Sequence, residues 1–127
     1  MDKQTASQDQ WIPDKLSSTR IEEVRTRIEE VRRSRATELY LSGQGLTQFP
    51  EEIWQLSQLQ RLNLAYNQLQ SVPEMLQQLS QLQELDLHYN QLTSVPEGLG
   101  QLSQLQRLDL SHNQLTILPE ELGRVSA

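Results

Sequence analysis

Two aspartates and two histidines lie close together in the second half of this 127-residue chain: Asp86, His88, Asp109 and His112. Two imidazoles with two carboxylates form a donor set suited to zinc. The spacing argues against that use, because His88 and His112 fall at different positions of a recurring pattern and neither has an evident partner to orient its ring. No metal and no cofactor is therefore expected. Nor is catalysis, which needs a nucleophile, a base and an orienting group in a site that excludes water. Three tyrosines, Tyr40, Tyr66 and Tyr89, offer different chemistry. Tyrosine gives a large contact area at low entropy cost and is enriched where binding energy concentrates, so three on one exposed face point to protein recognition. Packing of the rings on one another is the alternative.

What would hold these residues together is a repeat. Leu-Asn-Leu-Ala-Tyr-Asn-Gln-Leu, Leu-Asp-Leu-His-Tyr-Asn-Gln-Leu and Leu-Asp-Leu-Ser-His-Asn-Gln-Leu open at Leu62, Leu85 and Leu108, a period of 23 residues. A degenerate copy with Leu39, Leu41, Gln44 and Leu46 precedes them. Alternation of Leu-x-Leu predicts four short parallel strands with the leucines inward. Asn67, Asn90 and Asn113 stand where each strand must turn, and an amide side chain that both donates and accepts can satisfy the backbone groups a turn leaves unpaired. Gln44 replaces it in the first copy, so an imperfect ladder is expected there. Phe49-Pro50-Glu51, Val72-Pro73-Glu74, Val95-Pro96-Glu97 and Leu118-Pro119-Glu120 then start short helical turns on the other side. Gly98, Gly100 and Gly123 weaken the later turns and should make them brief or 3₁₀-like. The predicted fold is α/β: a solenoid in a short curved arc, with a parallel sheet on its concave face and helical turns on its convex face.

The concave face then collects side chains in columns: Glu38, Arg61, Glu84 and Arg107; Tyr40, Asn63, Asp86 and Asp109; Ser42, Ala65, His88 and Ser111; and, at the rim, Gly43, Tyr66, Tyr89 and His112. The partner-binding surface is expected among Glu38, Tyr40, Arg61, Asn63, Tyr66, Glu84, Asp86, His88, Tyr89, Arg107, Asp109, Ser111 and His112.

Ahead of the repeats of residues 36–127, residues 19–35 read as an amphipathic capping helix and residues 1–18 as a disordered or loosely docked segment. Thr19 and Glu22 form a capping box, and Ile21, Val24, Ile28 and Val31 make one apolar stripe to cover the open edge of the first repeat. Self-association of this helix is the other reading. Glu23 with Arg27, and Glu29 with Arg33, set acid four residues before base. Trp11, Ile12 and Pro13 are either an anchor on the folded body, with Trp54 as its partner, or a short motif offered to another protein.

Composition narrows the partners. The net charge is −6, and residues 36–127 hold three arginines against ten acids, the opposite of a nucleic-acid footprint. No apolar run approaches the roughly 20 residues of a membrane span. Met1 to Gln10 contains no apolar stretch of a signal peptide, and the chain has no cysteine, so a cytoplasmic location is expected.

With these residues in view, the chain resembles the intracellular leucine-rich repeat class whose return segment reads Leu-Pro-Glu-x-Leu-x-x-Leu. It is similar in particular to bacterial arrays of the Ras-like GTPase-associated (Roco) type, which often open with an Arg/Glu-rich helix before a start such as Thr37-Glu38-Leu39-Tyr40-Leu41-Ser42-Gly43. The resemblance implies an array that recruits or regulates while any GTPase lies in a separate domain. No Gly-x-x-x-x-Gly-Lys-[Ser/Thr] loop occurs here to cradle phosphates. Bacterial effector ligases with Leu-Pro repeats act through a cysteine, which this chain lacks. The expected function is a non-catalytic protein-protein interaction scaffold. The alternative is the recruiting N-terminal fragment of a longer signalling protein, since Ala127 ends just where a further strand would open. Four short strands offer only about 320 Å² against about 800 Å² per partner in a stable complex, so a homodimer through the uncapped last edge is also expected.

Overall fold

Each Leu-x-Leu pair builds a three-residue strand: β1 Glu38–Tyr40, β2 Arg61–Asn63, β3 Glu84–Asp86 and β4 Arg107–Asp109. The structure, a computed structural model, describes residues 13–118. The strands are parallel in the order β1-β2-β3-β4. Their register pairs Leu39 with Leu62, Leu62 with Leu85 and Leu85 with Leu108, one full period at every step. Because the register equals the period, identical positions stack, and the leucines form one continuous core. Leu41, Leu64 and Leu87 are fully buried in it.

The return segments are 3₁₀-helices over Glu51–Gln55, Glu74–Gln78 and Glu97–Gln101. Each follows a proline held extended, with φ of −64°, −73° and −74°. Bonds of the i to i+3 kind then run from the Ile53 amide to the Pro50 carbonyl (3.2 Å) and from the Leu56 amide to the Ile53 carbonyl (2.9 Å). Glycine is not the cause, contrary to the expectation, because the first two of these helices contain none. A tight turn with about 2 Å of rise per residue crosses the convex side in few residues, and it suits all three repeats alike. The fourth return segment, with Leu122 and Val125, lies outside the described residues.

Helix α1 runs over Pro13–Ser34, six residues longer at its start than the capping box at Thr19 implied. Proline is well placed at a first helical position, where its missing amide hydrogen is not needed. Thr19 therefore lies inside the helix and not at its start. The helix packs on β1 and on the first 3₁₀-helix, burying Val24 and Ile28, with Val31 partly buried beside them. Ile21 departs from the expected stripe: it is 46% exposed, on the wall of an open cleft between α1 and residues 44–52. Three side chains make further contacts between the helix and the repeats. Arg27 donates to the Tyr40 carbonyl on the outer edge of β1 (3.3 Å), Arg25 faces Glu52 (3.5 Å), and Gln58 donates to the carbonyls of Val31 (3.3 Å) and Ala36 (3.2 Å). Arg27 is thus drawn to the sheet edge and not to Glu23, whereas Glu29 does take Arg33 (3.2 Å) together with Arg32. Trp54 stacks on Phe49 at 5.9 Å between centroids. Its expected partners Trp11 and Ile12 lie outside the described residues.

Candidate functional site: the concave face and its aromatic rim

Asparagine side chains fix where the concave face ends. Asn67 accepts from the amides of Gln44 (2.9 Å) and Leu46 (3.0 Å) and donates to the carbonyls of Leu41 (3.0 Å) and Leu64 (2.9 Å). Asn90 and Asn113 repeat the pattern one and two periods on, each reaching back to a carbonyl of the preceding repeat at 3.0 Å. Gln44 breaks it, as its longer amide turns to the nearby Ser42 carbonyl (3.1 Å).

Just before each asparagine the backbone enters the left-handed region, at Tyr66 (φ 58°), Tyr89 (φ 56°) and His112 (φ 57°). Bulky residues rarely adopt it. The tight turn imposes it: the Tyr66 amide donates to the His88 carbonyl (3.0 Å) and the Tyr89 amide to the Ser111 carbonyl (3.1 Å), extending the sheet's bonding by one more rung. Sequence reasoning did not find this strain. The available signal was Gly43, which holds the same position in the first copy with φ 69°.

These backbone angles aim three rings the same way, one per repeat. Tyr66 stacks on Tyr89 with centroids 4.7 Å apart and planes 10° off parallel, and Tyr89 stacks on His112 at 4.0 Å and 7°. Stacked spacing of this kind matches the separation of neighbouring strands. The three-tyrosine face expected from sequence is thereby divided. Tyr40 stands in another column and donates its hydroxyl to Glu38 at 2.8 Å, a bond that raises its pKa above the ordinary tyrosine value.

Beside the rings lie the polar columns. Arg61 bridges Glu38 (3.0 Å) and Glu84 (3.6 Å), so the alternating charges pair as expected through three strands. Among the described residues no ion pair joins Arg107 to Glu84. In the second column Asn63, Asp86 and Asp109 each accept from a backbone amide two residues on, at Ala65 (2.9 Å), His88 (3.1 Å) and Ser111 (3.0 Å). Asp109 also accepts the Ser111 hydroxyl at 2.6 Å, and this bond holds its carboxyl below the usual aspartate range.

His88 does have a partner, contrary to the sequence reading: its Nδ1 bonds the Asp86 carboxylate and lies 3.7 Å from Asp109. Its ring also meets Tyr66 edge-on at 4.8 Å. Of the four residues weighed as zinc donors, three thus converge, with one ligand atom each from Asp86, His88 and Asp109 within 4.8 Å of one another. His112 does not join them, because its ring belongs to the stack.

The pattern described as leucine rich repeat matches residues 34–92, and that described as leucine rich repeats in two copies matches residues 80–123. Among curated proteins none matches the chain. Several solved structures do. A leucine-rich repeat protein of Leptospira interrogans is 37% identical over 76% of this chain and 31% of its own length, with a TM-score of 0.62. The leucine-rich repeat domain of the type III effector XopL is 28% identical over 82% of this chain and 36% of that one, with a TM-score of 0.73. A leucine-rich repeat domain of a Shigella effector is 28% identical over 77% of this chain and 41% of that one, at 0.63. The chain therefore spans about a third of the length of the structures it matches. No helix among the described residues is long and apolar enough to cross a membrane.

Proposed function

The chain is a leucine-rich repeat protein, and on that premise we propose that it is a non-catalytic interaction scaffold that binds a protein partner through its concave face. The observation that carries this reading is the exposed stack. Tyr66 is 56% and Tyr89 44% exposed, although the repeat architecture holds both backbones in a conformation that disfavours bulky side chains. Rigid, half-exposed tyrosines edged by Asp86, His88 and Asp109 match the aromatic and charged composition of binding hot spots. The other concave residues, Glu38, Tyr40, Arg61, Asn63, Glu84, Arg107, Ser111 and His112, form the surround. The test is affinity capture of the partner from cells of the source organism, with Tyr89→Ser against a convex control, Met75→Ser, at a side chain 45% exposed. Loss with the first and retention with the second supports the reading. Equal capture by both variants overturns it.

A second reading makes this array the recruiting part of a longer signalling protein of the Roco kind, its effector domain being separate. The start at Thr37 to Gly43 supports it, as does coverage of 31–41% of the longer matched structures. The mass of the native gene product decides it, and a mass equal to the 14.7 kDa of this chain counts against it. Pairing of two copies through the last repeat belongs to the same proposal, supported by Ile117 and Leu118, which are 76% and 48% exposed. Light scattering of wild type and Leu110→Glu tests it, and a strictly monomeric wild type refutes it.

A further inference from the structure

The aromatic rim has four positions and three rings. Position by position it reads Gly43, Tyr66, Tyr89 and His112, with φ of 69°, 58°, 56° and 57°, so all four backbones point a side chain in the same direction. The Gly43 amide donates to the Ala65 carbonyl at 3.1 Å, as the Tyr66 amide does to the His88 carbonyl at 3.0 Å. Gly43 is thus a true rung of the same ladder, lacking only its side chain. A Cβ built on it meets nothing within 4 Å. Neighbouring rings stand 4.7 Å and 4.0 Å apart, so a planar group over Gly43 at that spacing would lie on the outer side of Tyr66.

We infer that this empty rung is a stacking site for the guanidinium of an arginine carried by a basic segment of the partner, an inference that rests on the concave-face reading above. A planar group fits a slot bounded by a parallel ring, and guanidinium is the planar side chain that also carries positive charge. The charge of the face selects for it. On the strands Glu38, Glu84, Asp86 and Asp109 outnumber Arg61 and Arg107, of which only Arg61 pairs with them among the described residues; the cations of α1 nearest the rung are Arg27, held at the Tyr40 carbonyl, and Arg20, beside Gly45. Ammonium ions are attracted by the same field but do not stack in a flat slot.

The experiment titrates the protein at low salt with two blocked hexapeptides, one alternating arginine with glycine and the other lysine with glycine. The arginine peptide should bind about threefold or more tightly than the lysine peptide. Gly43→Tyr, which fills the rung with a residue the ladder already accepts at Tyr66 and Tyr89, should abolish that preference, and so should Tyr66→Asn, which removes the platform. Thermal melting checks that each variant folds, and Tyr66→Asn decides the matter if Gly43→Tyr does not. Equal affinity of the two peptides for wild type, no binding at millimolar peptide, or a preference that survives in the folded variants overturns the inference. Asp109→Asn separates this failure from that of the broader reading. If it weakens both peptides while the rung variants leave the preference intact, the concave face binds and the rung does not. If no concave variant changes either affinity, both proposals fall.

Discussion

Asn90 donates to the Leu64 carbonyl at 3.0 Å across the boundary between two repeats, while its side-chain oxygen accepts the Leu69 amide at 3.0 Å. It also donates to the Leu87 carbonyl of its own repeat at 3.0 Å, so one buried side chain satisfies backbone groups on both sides of the joint. Replacing it leaves buried partners unpaired. Asn90→Ala should cost about 1–3 kcal/mol, and Gln91→Ala, at an exposed neighbour, should stay within about 0.5 kcal/mol. Denaturant melts check it, and equal effects at the two positions would sink the asparagine-ladder account.

The inward leucines should be the costliest to shorten. Leu64 and Leu87 are fully buried in a core one row deep, so neighbours have little freedom to close a cavity. Either Leu→Ala change is expected to cost about 2–5 kcal/mol, against about 0.5 kcal/mol or less for Met75→Ala on the exposed convex side. Chemical denaturation of the three variants measures this directly.

Helix α1 should show the same contrast along its own length. Ile28 is 3% exposed and Ile21 46%, although both stand on the apolar stripe of the sequence. Ile28→Ala should cost about 2–5 kcal/mol and Ile21→Ala about 0.5 kcal/mol or less. A cost at Ile21 as large as at Ile28 would mean that the cleft between helix and first repeat is closed in solution.

Acid should weaken the end of this helix in a defined window. Hydrogen bonds from Arg32, and secondarily Arg33, lower the Glu29 pKa from the ordinary 4.5 to about 2. A carboxylate with a depressed folded pKa adds stability that is present above its unfolded value and is lost as pH falls toward the folded one. Helicity followed from pH 5 to pH 2 should therefore decline more in wild type than in Glu29→Gln. Parallel curves for the two proteins would show that the pairing contributes nothing.

The sequence alone determined the repeat, the strand positions, the register and the inward leucines, because a parallel stack with one residue pattern per strand forces equivalent positions into columns. Column membership follows from counting by 23, and the columns of the candidate site were legible for that reason. The asparagine ladder was legible too, including its failure at Gln44. What the tertiary structure decided was direction and partnership within the columns. Tyr66, Tyr89 and His112 form one stack because the turn holds each at positive φ, a conformation local propensity argues against and only the fixed spacing of neighbouring strands sustains. Tyr40, counted with the other tyrosines from sequence, faces Glu38 because it sits on the strand and not in the turn. His88 meets Asp86 and Asp109 by the same logic, through side-chain angles that no periodicity encodes. The helix shows the limit most plainly. Its stripe names four residues that can be buried, and only the packed body decides that Val24 and Ile28 are inside and Ile21 is not.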